Sequence, residues 1–165
     1  MTFDDLIETA GIVLDRARAQ GLRIATVESC TGGLIAGALT TVAGSSDVVD
    51  RGFVTYSNDA KTAMVGVPAA LIASDGAVSR PVAEAMATGG IANSLADLAV
   101  SVTGIAGPGG ATATKPVGLV HFACARRNGT VVHRRHVFAG DRQAVRLQSV
   151  AAALDLLLDA LAPTD

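Results

Sequence analysis

Aromatic residues and lysine are both nearly missing from this chain. Of its 165 residues, four are Phe, one is Tyr and none is Trp. Eleven of the 13 Lys and Arg residues are Arg, which leaves Lys61 and Lys115 as the two lysines. With so few rings there is no platform on which nucleic-acid bases could stack. A formal net charge of −2 also lacks the basic surface of nucleic-acid-binding domains, so nucleic acid is not an expected partner. Two cysteines, Cys30 and Cys124, are too few for a disulfide framework. The start, Met1-Thr2-Phe3-Asp4-Asp5, is acidic where a secretory signal is basic, and no apolar h-region follows. No run of about 18 uncharged apolar residues could span a bilayer. Even the apolar stretch 151–162 is interrupted by Asp155 and Asp159. A cytoplasmic protein without a membrane partner is expected.

What the chain does have is apolar bulk. Hydrophobic residues make up 50% and charged residues 17%, which excludes a disordered chain. The length fits one domain over 1–165 with a real core. Phe3, Leu6, Ile7, Ala10, Val13, Leu14 and Ala17 recur at helical spacing, predicting a helix over 2–20 that Gly21 stops. A β-prone run, 24–27, breaks off at Ser29-Cys30-Thr31-Gly32-Gly33, after which helical spacing resumes. A second strand is expected over 53–56, then a capping cluster Ser57-Asn58-Asp59 and a helix holding Lys61. Ser79 with Pro81 opens a helix running to about Leu95. A third strand, 98–103, enters a glycine-rich loop, 104–110. Strands 119–125 and 130–138 meet at Asn128-Gly129, a strong hairpin signal. Asp141 caps a last helix. This order predicts an α/β fold: a three-layer α/β/α sandwich on a mixed, mostly parallel sheet of about five strands, the fourth antiparallel.

If the first three strands are parallel, three polar loops gather at the carboxyl edge of the sheet, where open α/β sheets bind ligands. Ordinary βα turns also favour Gly, Ser and Asn, but three such loops together favour a site. The Ser29–Gly33 turn offers hydroxyls and backbone N–H groups at a helix N-terminus, suited to an anion or a developing oxyanion. It is not a Walker A loop, since no Gly-Lys-Ser/Thr follows. Lys61 reads either as a solvated lysine or as a site residue. Arg142 and Arg146, four apart, read equally as solvated arginines or as phosphate ligands.

The motifs Glu28-Ser29-Cys30-Thr31-Gly32-Gly33, Gly52-Phe53-Val54-Thr55-Tyr56-Ser57-Asn58, Gly76-Ala77-Val78-Ser79, Thr103-Gly104-Ile105-Ala106-Gly107-Pro108 and Lys115-Pro116-Val117-Gly118 closely resemble the CinA C-terminal domain family. They span nearly the whole chain in the family's order. The resemblance implies an α/β/α domain that hydrolyses nicotinamide mononucleotide (NMN) to nicotinate mononucleotide and ammonia in pyridine nucleotide recycling, with no cofactor. Larger family members carry a preceding domain related to molybdopterin-binding proteins and associated with ADP-ribose pyrophosphatase activity. No such stretch is visible here, so that activity is not expected. The glycine-rich loop departs slightly from the family pattern, continuing Gly109-Gly110-Ala111-Thr112.

Together the residues and the resemblance suggest acyl transfer. Ser29 is the candidate nucleophile, with backbone N–H groups of Thr31, Gly32 and Gly33 holding the oxyanion. Lys61 with Tyr56 is the candidate base pair. A lysine held neutral near pH 7 costs roughly 4–5 kcal/mol, which burial can supply. Arg142, Arg146 and the Thr103-Gly104 loop are candidates for the substrate's phosphate and ribose, and Asn58 and Gly107 are further substrate-binding candidates. Cys30 is a rival nucleophile at a helix N-terminus, although a buried thiol is the simpler account of Cys30 and Cys124. His133 and His136 point to opposite faces of a strand and make a poor chelating pair, so no metal is expected. The roles of Ser79 and Lys115 stay open. The competing functional class is a non-catalytic interaction module in competence or DNA damage, with a recombinase as suggested partner; an amidase for another carboxamide also competes. Homo-oligomers, dimeric or larger, are expected from the apolar fraction and the family.

Overall fold

The computed structural model describes residues 1–127 and 129–163. In chain order the elements are α1 (Ile7–Ala19), β1 (Ile24–Glu28), α2 (Leu34–Thr41), β2 (Val49–Val54), α3 (Asn58–Val65), α4 (Ala69–Asp75), α5 (Arg80–Ala92), β3 (Leu98–Gly104), β4 (Leu119–Arg126), β5 (Val131–Val137) and α6 (Arg142–Ala160). The five strands form one sheet in the order β2-β1-β3-β4-β5. β1 pairs in parallel with β2 and β3, while β4 runs antiparallel to both β3 and β5. The predicted layers and the antiparallel fourth strand are therefore present.

The larger core lies on one face of the sheet. Leu98, Val100 and Val102 of β3 and Val120, Phe122 and Cys124 of β4 pack there against α1, α2 and α6. The opposite face is built from smaller residues. Ala123 and Ala125 of β4 meet Ala83 and Ala87 of α5, so α5 lies close enough for the buried Ser101 hydroxyl to donate to the Ala83 carbonyl at 2.6 Å. The same helix meets the end of α3 so closely that a Cβ on Gly89 would stand 1.9 Å from the Val65 carbonyl oxygen. Val27, Val65, Val67, Ile72, Val82 and Met86 form a second, smaller core there. Full burial of one such side chain stabilises by about 1.5–3 kcal/mol.

Four details differ from the sequence expectations. The first helix is preceded by a 3-10 turn, Asp4–Leu6. The second strand lies four residues early, over Val49–Val54, and leaves Thr55 and Tyr56 in the loop after it. Its Asp50 and Arg51 look unlike a strand, but β2 is an edge, and the Asp50 carboxylate pairs with Arg23 and Arg51. Helix α4 was not expected from the sequence, and α5 ends at Ala92 rather than near Leu95. The caps fall as predicted: Ser57, Ser79 and Asp141 accept from the backbone N–H groups of Ala60, Val82 and Ala144. The hairpin joins β4 to β5 as expected, while Asn128 of its turn lies outside the described residues.

The winding direction reverses at β1. The chain leaves β1 through α2 on one face, and leaves β2 through α3, α4 and α5 on the other before entering β3. The loops following β1, β2 and β3 thus meet at one edge, at a topological switch point.

Candidate active site

Ser29 follows the last residue of β1, and its N–H donates to the Val102 carbonyl of β3. The chain then turns sharply through Gly32 and Gly33, whose φ values of 58° and 101° are accessible to glycine at little steric cost. This turn is held from several sides. The Gly32 N–H donates to the Ser29 carbonyl. Arg146 donates from Nε to the Cys30 carbonyl at 3.0 Å and from Nη2 to the Thr31 carbonyl at 3.3 Å. The buried Glu28 carboxylate accepts from the Thr31 hydroxyl at 2.7 Å and from the Ile35 and Ala36 N–H groups at 2.9 and 3.0 Å.

Lys61 reaches this turn from α3. It is only 1% exposed, and its Nζ lies 3.0 Å from Ser29 Oγ. Nζ also donates to the Thr55 carbonyl at 2.8 Å and the Tyr56 carbonyl at 3.4 Å. Burial lowers the Lys61 pKa from its ordinary value, because a charged amine loses hydration there. An amine, a hydroxyl and a tight glycine turn thus meet at the carboxyl edge of the sheet.

Tyr56 does not share that contact. Its side chain is 60% exposed, and its hydroxyl accepts from Arg142 Nη2 at 3.0 Å. Arg142 also donates from Nη1 to the Gly107 carbonyl at 2.9 Å, so the loops after β2 and β3 are tied to the start of α6. Two grooves share Arg142 as a wall. One is lined by Ala106, Pro108, Val117 and Asp141, the other by Phe3, Leu34, Arg146 and Leu147. The expected Tyr56–Lys61 side-chain pair is replaced by two separate pairs, Ser29–Lys61 and Tyr56–Arg142.

The remaining candidates fall around these pairs. Asn58 is exposed at the start of α3. The Thr103 hydroxyl donates to the Ala77 carbonyl at 2.8 Å, and Gly104 closes β3 opposite Val120. Ser79 caps α5 and donates to the Gly76 carbonyl. Lys115 Nζ donates to the Asp75 carbonyl at 2.7 Å, fastening the glycine-rich segment to the turn before α5. Cys30 is buried, and burial pushes its thiol up to about 11, which makes it a poor nucleophile. Burial likewise pushes Cys124 up to about 12.

Sequence reasoning missed two features. Glu28 stood in a recognised motif without a role, though an acidic residue just before a turn and helix is a visible capping signal. The contact between His121 Nδ1 and His133 Nε2, at 2.9 Å, joins adjacent strands and depends on their register. Among the described residues no group of three or more His, Cys, Asp or Glu side chains could hold a metal ion. No described helix is long and apolar enough to cross a membrane.

Comparison with known proteins places the family and the fold. Residues 7–161 match the model of the CinA C-terminal domain. The nicotinamide-nucleotide amidohydrolase PncC of Escherichia coli (strain K12) is 48% identical over 95% of this chain and 95% of its own length. A CinA-like protein of Mycolicibacterium gilvum is 53% identical over 93% of this chain but only 37% of its own length. The crystal structure of the competence/damage inducible protein CihA from Agrobacterium tumefaciens superposes with a TM-score of 0.92 at 53% identity, covering 95% of both chains. This chain belongs to the CinA C-terminal domain family.

Proposed function

We propose that this protein is a nicotinamide-nucleotide amidase that hydrolyses the carboxamide of NMN to nicotinate mononucleotide and ammonia, through an acyl-enzyme on Ser29. The observation that carries the mechanism is the buried Lys61 amine 3.0 Å from Ser29 Oγ. The substrate is that named for the PncC relative, which this chain matches over nearly its full length.

Neutral Lys61 takes the Ser29 hydroxyl proton as Oγ attacks the carboxamide carbon. The carbonyl oxygen becomes an oxyanion. The N–H of Gly33, which is partly exposed and donates to no acceptor among the described residues, is the proposed donor to it. Thr31 leaves the expected oxyanion set, because it is fully buried. The C–N bond then breaks, and the proton on Lys61 passes to the leaving nitrogen, releasing ammonia. Water attacks the resulting ester, Lys61 takes its proton and returns one to Ser29, and the carboxylate departs. Gly32 leaves the expected oxyanion set, because its N–H is already bonded to the Ser29 carbonyl.

Arg142 is the proposed phosphate ligand, beside the exposed Tyr56 ring. Asn58, Thr103, Gly104 and Gly107 complete the proposed substrate contacts. Arg146 acts mainly on the turn, through the Cys30 and Thr31 carbonyls. The two free thiols suit a reducing cytoplasm, and a homo-oligomer is proposed, for which light scattering is the test. The function is tested by ammonia release from purified protein given NMN, nicotinamide or glutamine. Release from NMN alone is expected. Release from glutamine alone would replace the substrate, and release from none would favour the interaction module.

A further inference from the structure

Helix α2 begins at the nucleophile turn, yet its N-terminus is not open to a ligand. Its first three N–H donors are already used: Leu34 by the Thr31 carbonyl, Ile35 and Ala36 by the Glu28 carboxylate. Gly33, at the N-cap, supplies no side-chain cap, which helices ordinarily draw from Ser, Thr, Asp or Asn at that position. The cap comes instead from the strand before the turn. Glu28 is 1% exposed, and its third bond, at 2.7 Å, accepts from the Thr31 hydroxyl. Thr31 itself is fully buried. The carboxylate therefore holds both ends of the same short segment, the helix start and the residue two beyond Ser29.

We infer that Glu28 is a positioning residue for the reaction. By capping α2 from outside the turn and pinning the buried Thr31, it leaves the partly exposed Gly33 N–H unclaimed and fixed for the oxyanion. The buried negative charge also occupies the place where a helix N-terminus would attract an anion. The substrate's phosphate is thereby left to the arginine side of the site. The inference rests on Ser29 as nucleophile, and its test separates the two.

The experiment uses the purified full chain with NMN, comparing wild type, Glu28→Gln, Thr31→Val and Ser29→Ala. Steady-state kcat and KM, circular dichroism, thermal melting and labelling of Ser29 by a fluorophosphonate are measured. Glu28→Gln removes the charge and puts an amide N–H against a backbone N–H. Its kcat is expected to fall about 100-fold, the scale of losing one oxyanion donor, with KM within about 3-fold and slower Ser29 labelling. Thr31→Val keeps the cap but frees Thr31, and its kcat is expected to fall about 10-fold. If Glu28→Gln does not fold, Thr31→Val decides alone. Folded variants with wild-type kcat and a lower melting temperature would make Glu28 only a structural cap and overturn the inference. So would a raised KM with unchanged kcat. Full activity in Ser29→Ala, with no label on wild-type Ser29, would instead sink the nucleophile and leave the capping geometry standing.

Discussion

Two pairs of titratable or nucleophilic side chains sit on the α5 side of the sheet, and they do opposite things. Ser29 and Lys61 meet at 3.0 Å at the end of β1. His121 and His133 meet at 2.9 Å across β4 and β5. Burial lowers the pKa of both Lys61 and His121, the latter to about 4. In the histidine pair, however, each imidazole nitrogen at the contact is taken up by the other ring, and Arg80 and Arg135 add positive charge around it. In the lysine pair the partner is a hydroxyl on a turn with unclaimed N–H donors. Depressed basicity alone does not make a catalytic base; the group also needs a nucleophile to serve and an oxyanion site beside it.

Breaking the first pair should have the largest effect. Ser29→Ala and Lys61→Met are each expected to lower kcat for NMN by about 10³-fold or more, with the circular dichroism spectrum retained. A Lys61→Met enzyme turning over at the wild-type rate would remove Lys61 as base. Next in size is Arg142→Ala. Losing a charge-assisted contact of about 1.5–3 kcal/mol predicts a KM for NMN raised about 10- to 100-fold, with a smaller change in kcat. An unchanged KM would move the phosphate elsewhere.

The pH dependence sharpens the contrast further. In the proposed mechanism Lys61 acts in its neutral form, so kcat/KM should rise with pH and level off above the lowered pKa, below the ordinary 10.5. Between those two values the unfolded chain binds more protons than the folded one, so stability should also rise with pH there. Titrations of unfolding by urea would read that slope, which Lys61→Met should abolish. The smallest effect belongs to the histidines. His121 is neutral in the folded chain down to about pH 4, whereas the unfolded group titrates at 6.5. Stability from this group is complete above pH 6.5 and is lost as pH falls from there toward 4. His121→Asn should flatten that acid limb while leaving kcat for NMN within about 3-fold of wild type. A large loss of kcat would bring the hairpin pair into the chemistry.

Much of this arrangement could be read from residue order. Caps at Ser57, Ser79 and Asp141 announce themselves by residue type, and the three loops at one sheet edge follow from parallel strands. Ser29 and Lys61 were both candidates, but their contact spans 32 residues of sequence, and only the docking of α3 brings them together. Tyr56 looked like the partner of Lys61 because the two are close in the chain. Its ring instead leaves the buried side and meets Arg142, 86 residues away. The true start of β2 is hidden in the sequence because its edge position tolerates Asp50, Arg51 and Gly52, which break the apolar pattern of a strand. Helix α4 is only seven residues long and carries too little periodicity to stand out.

The small core beneath α3 has a consequence for how the enzyme fails. Ser29 is anchored in the central sheet, but Lys61 is delivered by an eight-residue helix held on six buried side chains. Such a unit can open without the rest of the molecule unfolding. Activity should therefore disappear on mild heating or at low denaturant before the bulk of the helix signal does. The proposed Ser29–Lys61 pair would then act as a built-in gauge of whether that one corner of the protein is closed.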